Sequence, residues 1–594
     1  MVSRVRLILK RLGTYENTGG IFLAALIGVL AGLGAVGFRE LIKLFQWIFF
    51  NRGDIAFDFL GEYYVILLPV LGALLFGPLI YFLAREASGE GPPEVMEATA
   101  VRGGRIRSRV AAIKALASSI CIGSGGSVGR EGPIVQIGAS IGSTVGQWLR
   151  LPEGWVRIFV LCGAAGGISA TFNAPLGGVM FALEVLQRRF IPVSLFYIVI
   201  SSVVADVIAH EFVGTQPSFI IPEHFMTFMT SPWEILPYLV LGIVAGLVSV
   251  AFVSFFYKSE DFFGALRIPG YIKPVLGAII VGIIGYHYSD IFGLGYGEGY
   301  GPGGISFETG DIGADKALLG QIGLGTLLAL LALKMVATSA TLGSGGSGGV
   351  FAPSLFIGSM IGGAFGIAVH DLLPGITSDS EAIASGSYAL VGMGAFFAAT
   401  ARGPITAIIL LFEMTRSYEL MLPLMSAVVF STLISRNINR ESIYTLRLKR
   451  RGVDFQQREE SDVLRTITVS KAMTRGFPTV LPSTPLSELL NEMHSSGHHG
   501  FPIVDERGDL CGVVALEDVE AAMSQKDPDL TAIDVATQSP IVAFPDQSVH
   551  DALAQFGGRT VGRIPVVDRS NTKKLLGVLR RHDIVRAYTK ALKR

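Results

Sequence analysis

Glu131 sits in the setting where a carboxylate most asks for a chemical reason. It lies inside GSGGSVGREGP (Gly123–Pro133), a glycine-rich segment of a strongly apolar chain. A charge within such surroundings is costly and points to function. Glycine-rich backbone leading into a helix leaves N–H groups unpaired, and the helix dipole adds partial positive charge at that end. The segment can therefore hold an anion without a cationic side chain. The run returns 220 residues later as GSGGSGGVFAP (Gly343–Pro353), with Phe351 in the place of Glu131. The proline closing each copy suits a first helical turn. Two such termini facing each other would replace water around a small anion, whereas a fixed Arg or Lys would hold it too tightly for quick release. An ionised Glu131 can occupy the anion's place and, once protonated, swing away, which makes it both gate and proton carrier. The blander alternatives are close helix packing for the glycines and a salt bridge to Arg130 for Glu131. Neither copy has Gly-Lys followed by Ser or Thr, so a phosphate-binding loop is excluded.

The elements that must position these segments are membrane helices. Half of the 594 residues are hydrophobic, charged residues are 16%, and 73 glycines exceed ordinary soluble usage. Apolar stretches recur from Ile21 to Ile434, some too short and some too long for a simple span of about 20 residues. Tilted and re-entrant helices explain that mixture, since broken backbone survives in a membrane only where protein or water covers it. A second repeat pairs Gly163–Glu184 with Gly392–Glu413, aligning Ala170, Thr171, Pro175 and Glu184 with Ala399, Thr400, Pro404 and Glu413. Repeats built around broken helices signal a transport fold whose site lies between two halves. No signal peptide is expected, because the run after the basic leader (Arg4, Arg6, Lys10, Arg11) is too long for one. With Arg102, Arg105, Arg107 and Arg109, and with Arg436 to Arg451, that leader predicts cytoplasmic termini on a multi-pass protein of the cell membrane.

After about Gly452 the chain turns soluble in character and repeats again. FPIVDERGDLCGVVALEDV (Phe501–Val519) answers IPVVDRSNTKKLLGVLRRHDI (Ile564–Ile584), each a strand, a turn, a strand and a helix start. The expected organisation is a segment 1–19, a transmembrane domain 20–452 with halves near 20–212 and 234–446, a linker 453–468, and α/β modules at 469–527 and 528–594. Cys121, Cys162 and Cys511 lack metal spacing. His494, His498 and His499 have no acidic or cysteine partner, so no metal is expected.

These residues resemble the CLC family of chloride channels and chloride/proton exchangers, along nearly the whole chain. Gly129-Arg130-Glu131-Gly132-Pro133 is similar to its GREGP motif and puts Glu131 at the external gating glutamate. Gly349-Val350-Phe351-Ala352-Pro353 is similar to its GxFxP element, where Val350 and Phe351 donate backbone N–H groups to chloride. Ser442-Ile443-Tyr444 resembles the late segment whose tyrosine hydroxyl meets the central anion. The resemblance implies two inverted repeats, a homodimer with one pore per subunit, chloride as substrate, and protons as a possible second one. It implies neither an enzyme nor a nucleic-acid partner. The C-terminal modules resemble a CBS pair, which often binds adenine nucleotides (ATP, ADP or AMP).

Two departures bear on mechanism. Glu90, in Gly89-Glu90-Gly91-Pro92-Pro93, replaces the serine that usually bonds the central anion. Like charges about 4 Å apart cost on the order of 4 kcal/mol at an effective dielectric near 20. Glu90 must then be protonated, turn away, or leave the central site weak. Val185 stands where many exchangers carry an inner proton glutamate. It cannot carry a proton, which leans the expectation toward channel-like or weakly coupled flow, with exchange through Glu90 or water as the rival. In the CBS pair, Asp518 and Asp583 take the ribose-binding places, while Ala515 and Arg580 fill the hydroxyl places. Arg580 can meet a phosphate as a charge; Ala515 cannot. A sodium-coupled symporter and a membrane-tethered nucleotide sensor are the distant alternatives, and no motif supports either.

Overall fold

A chain so poor in charge has to satisfy its backbone polar groups within helices wherever lipid surrounds it. The computed structural model describes residues 16–188, 192–214, 231–295, 313–373, 375–378, 380–453, 464, 467–524, 529–556 and 563–592. The basic leader and most of the 453–468 linker lie outside the described residues. Two compact units divide after Val453.

The first unit is helical and built twice over. One half runs through α1 (Glu16–Gln46), α2 (Tyr64–Leu83), α3 (Pro92–Val101), α4 (Arg109–Gly123) and α5 (Glu131–Trp148). It continues with α6 (Glu153–Phe172), α7 (Pro175–Met180, extended as a π-helix over Phe181–Gln187) and α8 (Pro192–Val213). The other half answers element for element: α9 (Ile235–Ala265), α10 (Lys273–His287), α11 (Gly313–Leu318), α12 (Leu324–Gly343), α13 (Phe351–Leu372), α14 (Glu381–Ala401), α15 (Pro404–Thr415) and α16 (Met421–Ile438). A short α17 (Ile443–Arg450) follows. Among the described residues nine helical stretches are long and apolar enough to cross a membrane, and three apolar helices, Pro175–Gln187, Lys273–His287 and Pro404–Thr415, are shorter. The short and broken elements expected from the apolar pattern are thus present.

The centre of this unit is made of α5, α6, α13 and α14, which pack pairwise at glycines. A Cβ on Gly138 would stand 2.1 Å from the Gly163 carbonyl oxygen, and one on Gly362 would stand 2.0 Å from that of Tyr388. Small residues admit such close helix contact in a membrane. The halves also cap one another. The Glu184 carboxylate accepts from the backbone N–H groups of Ile405 (3.1 Å) and Thr406 (2.7 Å) at the start of α15. Glu413 accepts from Leu176 (3.0 Å) and Gly177 (2.7 Å) at the start of α7. Each glutamate satisfies orphan donors of the opposite repeat and meets a favourable dipole end.

The second unit holds two α/β modules. The first has α18 (Leu486–Ser496), β1 (Gly500–Val504), β2 (Leu510–Ala515) and α19 (Leu516–Met523). The second has α20 (Val549–Phe556), β3 (Arg563–Val567), β4 (Leu575–Arg580) and α21 (Arg581–Leu592). Each strand pair is antiparallel, with Gly500 opposite Ala515 and Arg563 opposite Arg580. Their leading segments are exchanged. Ile467, Val469, Ala472 and Met473 pack in the core of the second module, while Ala532 packs in that of the first. Neither module can bury its apolar face without the other.

The close backbone approach at the junction of the two halves predicts a sensitive glycine. A Cβ on Gly132 would lie 2.0 Å from the Glu90 carbonyl oxygen and 2.7 Å from Gly349 Cα, whereas Gly154 has open space. Gly132→Ala is expected to destabilise the protein by about 3 kcal/mol or more, seen as a lowered melting temperature in detergent. Gly154→Ala should leave the melting temperature unchanged or raise it slightly.

Candidate functional site

Three glycine-rich breaks converge where the two halves meet. The Gly129 N–H donates to the Gly349 carbonyl at 2.7 Å, and the Gly349 N–H donates back to the Gly129 carbonyl at 2.7 Å. The Gly89 N–H donates to Gly346 (3.1 Å), and the Gly348 N–H donates to Gly89 (3.3 Å). Non-helical backbone, normally intolerable at membrane depth, is satisfied here by the opposite repeat. Gly91 closes the third break at φ +99° and caps α3, its N–H donating to Glu94 Oε2 at 3.2 Å. The two copies read from the sequence as an anion site are therefore in contact, with α5 starting at Glu131 and α13 at Phe351. Pro133 and Pro353 both fall in the first turn, as expected.

Glu131 is buried, with 1% of its surface exposed. Its carboxylate folds back over Gly129, where a Cβ would stand 2.3 Å from Oε2. The Arg130 guanidinium is 4.0 Å away, too far for a hydrogen bond from that nitrogen. Gly132 follows directly against the Glu90 backbone. The counterpart of Glu131, Phe351, is packed among aromatic rings, 4.3 Å from Phe397 and 5.0 Å from Phe172 between centroids. Val350 beside it is buried. One repeat thus brings a titratable group to the meeting point, and the other brings an apolar wall.

Tyr444 is placed by the start of α17. Ser442 and Thr445 form a capping box, with the Thr445 N–H donating to Ser442 Oγ at 3.1 Å. The Tyr257 hydroxyl from α9 donates to the Ile443 carbonyl. Tyr444 is 2% exposed and within electrostatic reach of both Glu90 and Glu131. One turn further, Arg447 points back to Glu90, with Nη1 3.3 Å from Oε1. Its other terminal nitrogen lies 3.4 Å from Oε1 of Glu260, a partly exposed residue of α9. Glu90 is fully buried, and its Oε2 has no hydrogen-bond partner among the described residues. The geometry adds a case that those alternatives for Glu90 left out, a carboxylate paired with a cation. One unsaturated contact repays only part of the desolvation cost of such a pair.

The sequence reading missed two buried lysines. Lys114 Nζ donates to the carbonyls of Ala87 (3.0 Å) and Gly89 (2.7 Å), gripping the break that carries Glu90. Lys334, 220 residues later, donates to Ile291 (2.9 Å) and Gly293 (3.2 Å) and lies over the Phe356 ring. The segment Gly293-Leu294-Gly295 is thereby the second half's counterpart of Gly89-Glu90-Gly91. Serine and threonine pairs obey the same symmetry: Ser118 with Ser347 at 2.8 Å, Ser127 with Thr338 at 3.5 Å. Carrying the 220-residue offset upstream from Gly123 would have exposed both the lysines and these pairs. Val185 lies in the π-helix and is buried, and Glu184 beside it is spent on capping α15.

In the second unit the residues expected to meet a nucleotide fare differently. Asp583 is buried and accepts from Arg580 Nε (2.9 Å), Arg580 Nη2 (3.1 Å) and Thr474 Oγ1 (3.0 Å). Burial alone would push its pKa up, but the Arg580 and Thr474 bonds outweigh that and hold it below the usual aspartate value. Arg580 is thus committed to Asp583, and its guanidinium also lies over Phe477. Asp518 is exposed, in the first turn of α19. Among the described residues no group of three or more His, Cys, Asp or Glu side chains is arranged to hold a metal ion.

Comparison with known proteins agrees with the fold and the motifs. A family model described as voltage gated chloride channel matches residues 72–436, and CBS domain models match 469–525 and 532–590. A protein of Ralstonia nicotianae, named as ClcB-like and as a candidate chloride channel, is 34% identical over 439 residues, covering 73% of this chain and 97% of its own. The H(+)/Cl(-) exchange transporter ClcA of Vibrio campbellii is 32% identical over 447 residues, covering 72% and 89%. A slow cyanobacterial Cl-/H+ antiporter of known structure superposes with a TM-score of 0.63 at 25% identity, over 74% of this chain and 99% of that one. From the twinned glycine breaks to the paired C-terminal modules, this chain belongs to the CLC family of anion transport proteins and carries two CBS domains.

Proposed function

We propose that this protein exchanges chloride for protons across the cell membrane as a homodimer, with Glu131 as gate and outer proton carrier. The anion path runs between the starts of α5 and α13, past the backbone of Gly129 to Gly132 and of Gly349 to Phe351, to the Tyr444 hydroxyl. The observation that carries exchange over channel flow is Glu90. It is a wholly buried carboxylate with one oxygen unpartnered among the described residues, in the break that meets Gly132 of the gate segment. An ionisable group at such depth is a proton-relay candidate by its cost alone. Glu90 supplies the inner titratable group that Val185 lacks. Arg447 offsets its charge, which limits the repulsion a chloride would otherwise meet. Two similar proteins, an H(+)/Cl(-) exchange transporter and a Cl-/H+ antiporter, favour the same reading. Channel-like flow is the second reading and rests on Val185.

Liposomes holding the full-length protein under a chloride gradient separate the two, with chloride and proton fluxes recorded together. Exchange predicts protons driven against their own gradient. Glu90→Gln should then retain chloride flux while proton flux falls about tenfold or more, the scale of losing a positioned proton-transfer group. Glu131→Gln should remove the pH dependence of chloride flux. Chloride flux with no linked protons in the unaltered protein would establish the channel reading.

For the CBS pair the Asp583–Arg580 bond favours a structural role over nucleotide binding. Millimolar AMP, ADP or ATP is expected to leave the melting temperature of the full-length protein unchanged. A nucleotide-dependent rise that disappears in Asp583→Asn would show instead that the ligand opens this pair.

A further inference from the structure

The end of α2 carries a feature that anion transport leaves unused. A cleft of about 540 Å³ is lined by Tyr81, Phe82, Leu83, Arg85, Arg107 and Arg109. It shares Arg85, Glu86 and Arg107 with a second cleft of about 340 Å³ that reaches Arg102, Gln136 and Arg451. Together they form a groove from the last apolar turn of a membrane-crossing helix to the polar loop below it. Phe82 and Leu83 are 69% and 50% exposed at the apolar end.

The charges in the groove are unevenly matched. Arg107 pairs with Glu86, Arg102 with Glu97 at 2.5 Å, and Arg451 with Glu94 and Glu97 at 3.1 and 3.2 Å. Arg85 stacks on Tyr81 and, among the described residues, donates to that residue's carbonyl alone, at 3.5 Å. Neither Arg85 nor Arg109 has a carboxylate partner among the described residues. Two guanidiniums beside exposed apolar side chains suit a phosphodiester held at the membrane boundary. A second, independent observation lies deeper. Gln136 is 1% exposed, its amide nitrogen donates to the Glu86 carbonyl at 2.8 Å, and its Oε1 has no hydrogen-bond partner among the described residues. Glu86 Oε2 is likewise buried without one. Both are acceptors, so a fitting ligand brings hydroxyl donors.

We propose that this groove binds an anionic phospholipid with a hydroxylated headgroup. Its phosphodiester lies on Arg85 and Arg109, its headgroup hydroxyls donate to Gln136 and Glu86, and its acyl chains run along Phe82 and Leu83. A choline headgroup fits poorly, having no donor to offer and a cation to set among arginines. Gln136 belongs to α5, which begins at Glu131, and the Ala87 carbonyl next to Glu86 is held by Lys114 and Ser347. The headgroup therefore touches the helix of the gate and the break that carries Glu90.

Native mass spectrometry of the full-length protein with phosphatidylglycerol, phosphatidate and phosphatidylcholine tests this. Phosphatidylglycerol is expected to be retained about tenfold better than phosphatidylcholine, the scale of one charge-assisted contact. The exposed pair Arg85→Gln/Arg109→Gln should abolish that preference while the melting temperature holds. Gln136→Met should remove only the preference for phosphatidylglycerol over phosphatidate. Equal retention of phosphatidylcholine, or a preference that survives the double substitution, would overturn the site. Displacement of the lipid by millimolar glycerol 3-phosphate would assign it to a soluble phosphate ester, contrary to the proposal.

Discussion

The reciprocal hydrogen bonds between Gly129 and Gly349 are the contact on which the rest of the first unit depends. They join two stretches of backbone that belong to no helix, deep in a unit made almost wholly of helices. Without them four polar groups would lack partners at a depth where each unsatisfied group costs several kcal/mol. Their geometry also sets where α5 and α13 begin, and so where the N–H groups of both starts are aimed. No side chain fits between: Gly132 faces the Glu90 carbonyl and Gly348 faces Val128 at distances a Cβ would violate. Glycine is required here by space more than by φ.

Around that contact the two halves repair each other. Glu184 and Glu413 cap each other's helices, Ser118 and Ser127 find Ser347 and Thr338, and the modules of the second unit exchange their leading segments. The same logic holds at both ends of the chain: a duplicated unit cannot satisfy its own edge, so its copy does. Function enters where the copies differ. Glu131 faces Phe351 across the pseudo-symmetry, and Glu90 corresponds to Leu294, so both carboxylates of the proposed pathway belong to one half. Lys114 and Lys334 remain alike because each holds the carbonyls of a break, a task that both halves share.

Much of this was legible in the residues. The glycine runs, their prolines, Glu131, the second repeat and the duplicated C-terminal modules all stand in short windows, where spacing and composition carry the signal. Glu90 was visible as a misfit, but its partner was not. Arg447 lies 357 residues away in a basic stretch that reads as an ordinary membrane exit, and nothing local distinguishes it from Arg450 or Arg451. Lys114 and Lys334 were hidden for a related reason. A single lysine in an apolar helix suggests a charge reaching for the surface, whereas both here end on buried carbonyls. Asp583 and Arg580, read as nucleotide contacts, satisfy each other with the help of Thr474 from a segment 109 residues earlier.

By itself the sequence determined the class of fold, the places where helices break, and which carboxylates carry a cost that structure alone does not explain. Those properties follow from local composition and from repetition along the chain. Only the tertiary structure decided which break meets which, that Glu90 is balanced by Arg447, that the family-matched Glu184 is occupied in capping, and that two arginines beside α2 lack acidic partners among the described residues. Each of these is a pairing between residues far apart in the chain. A buried charge or an orphan N–H states only that it needs a partner, and the packing of the two halves chooses it.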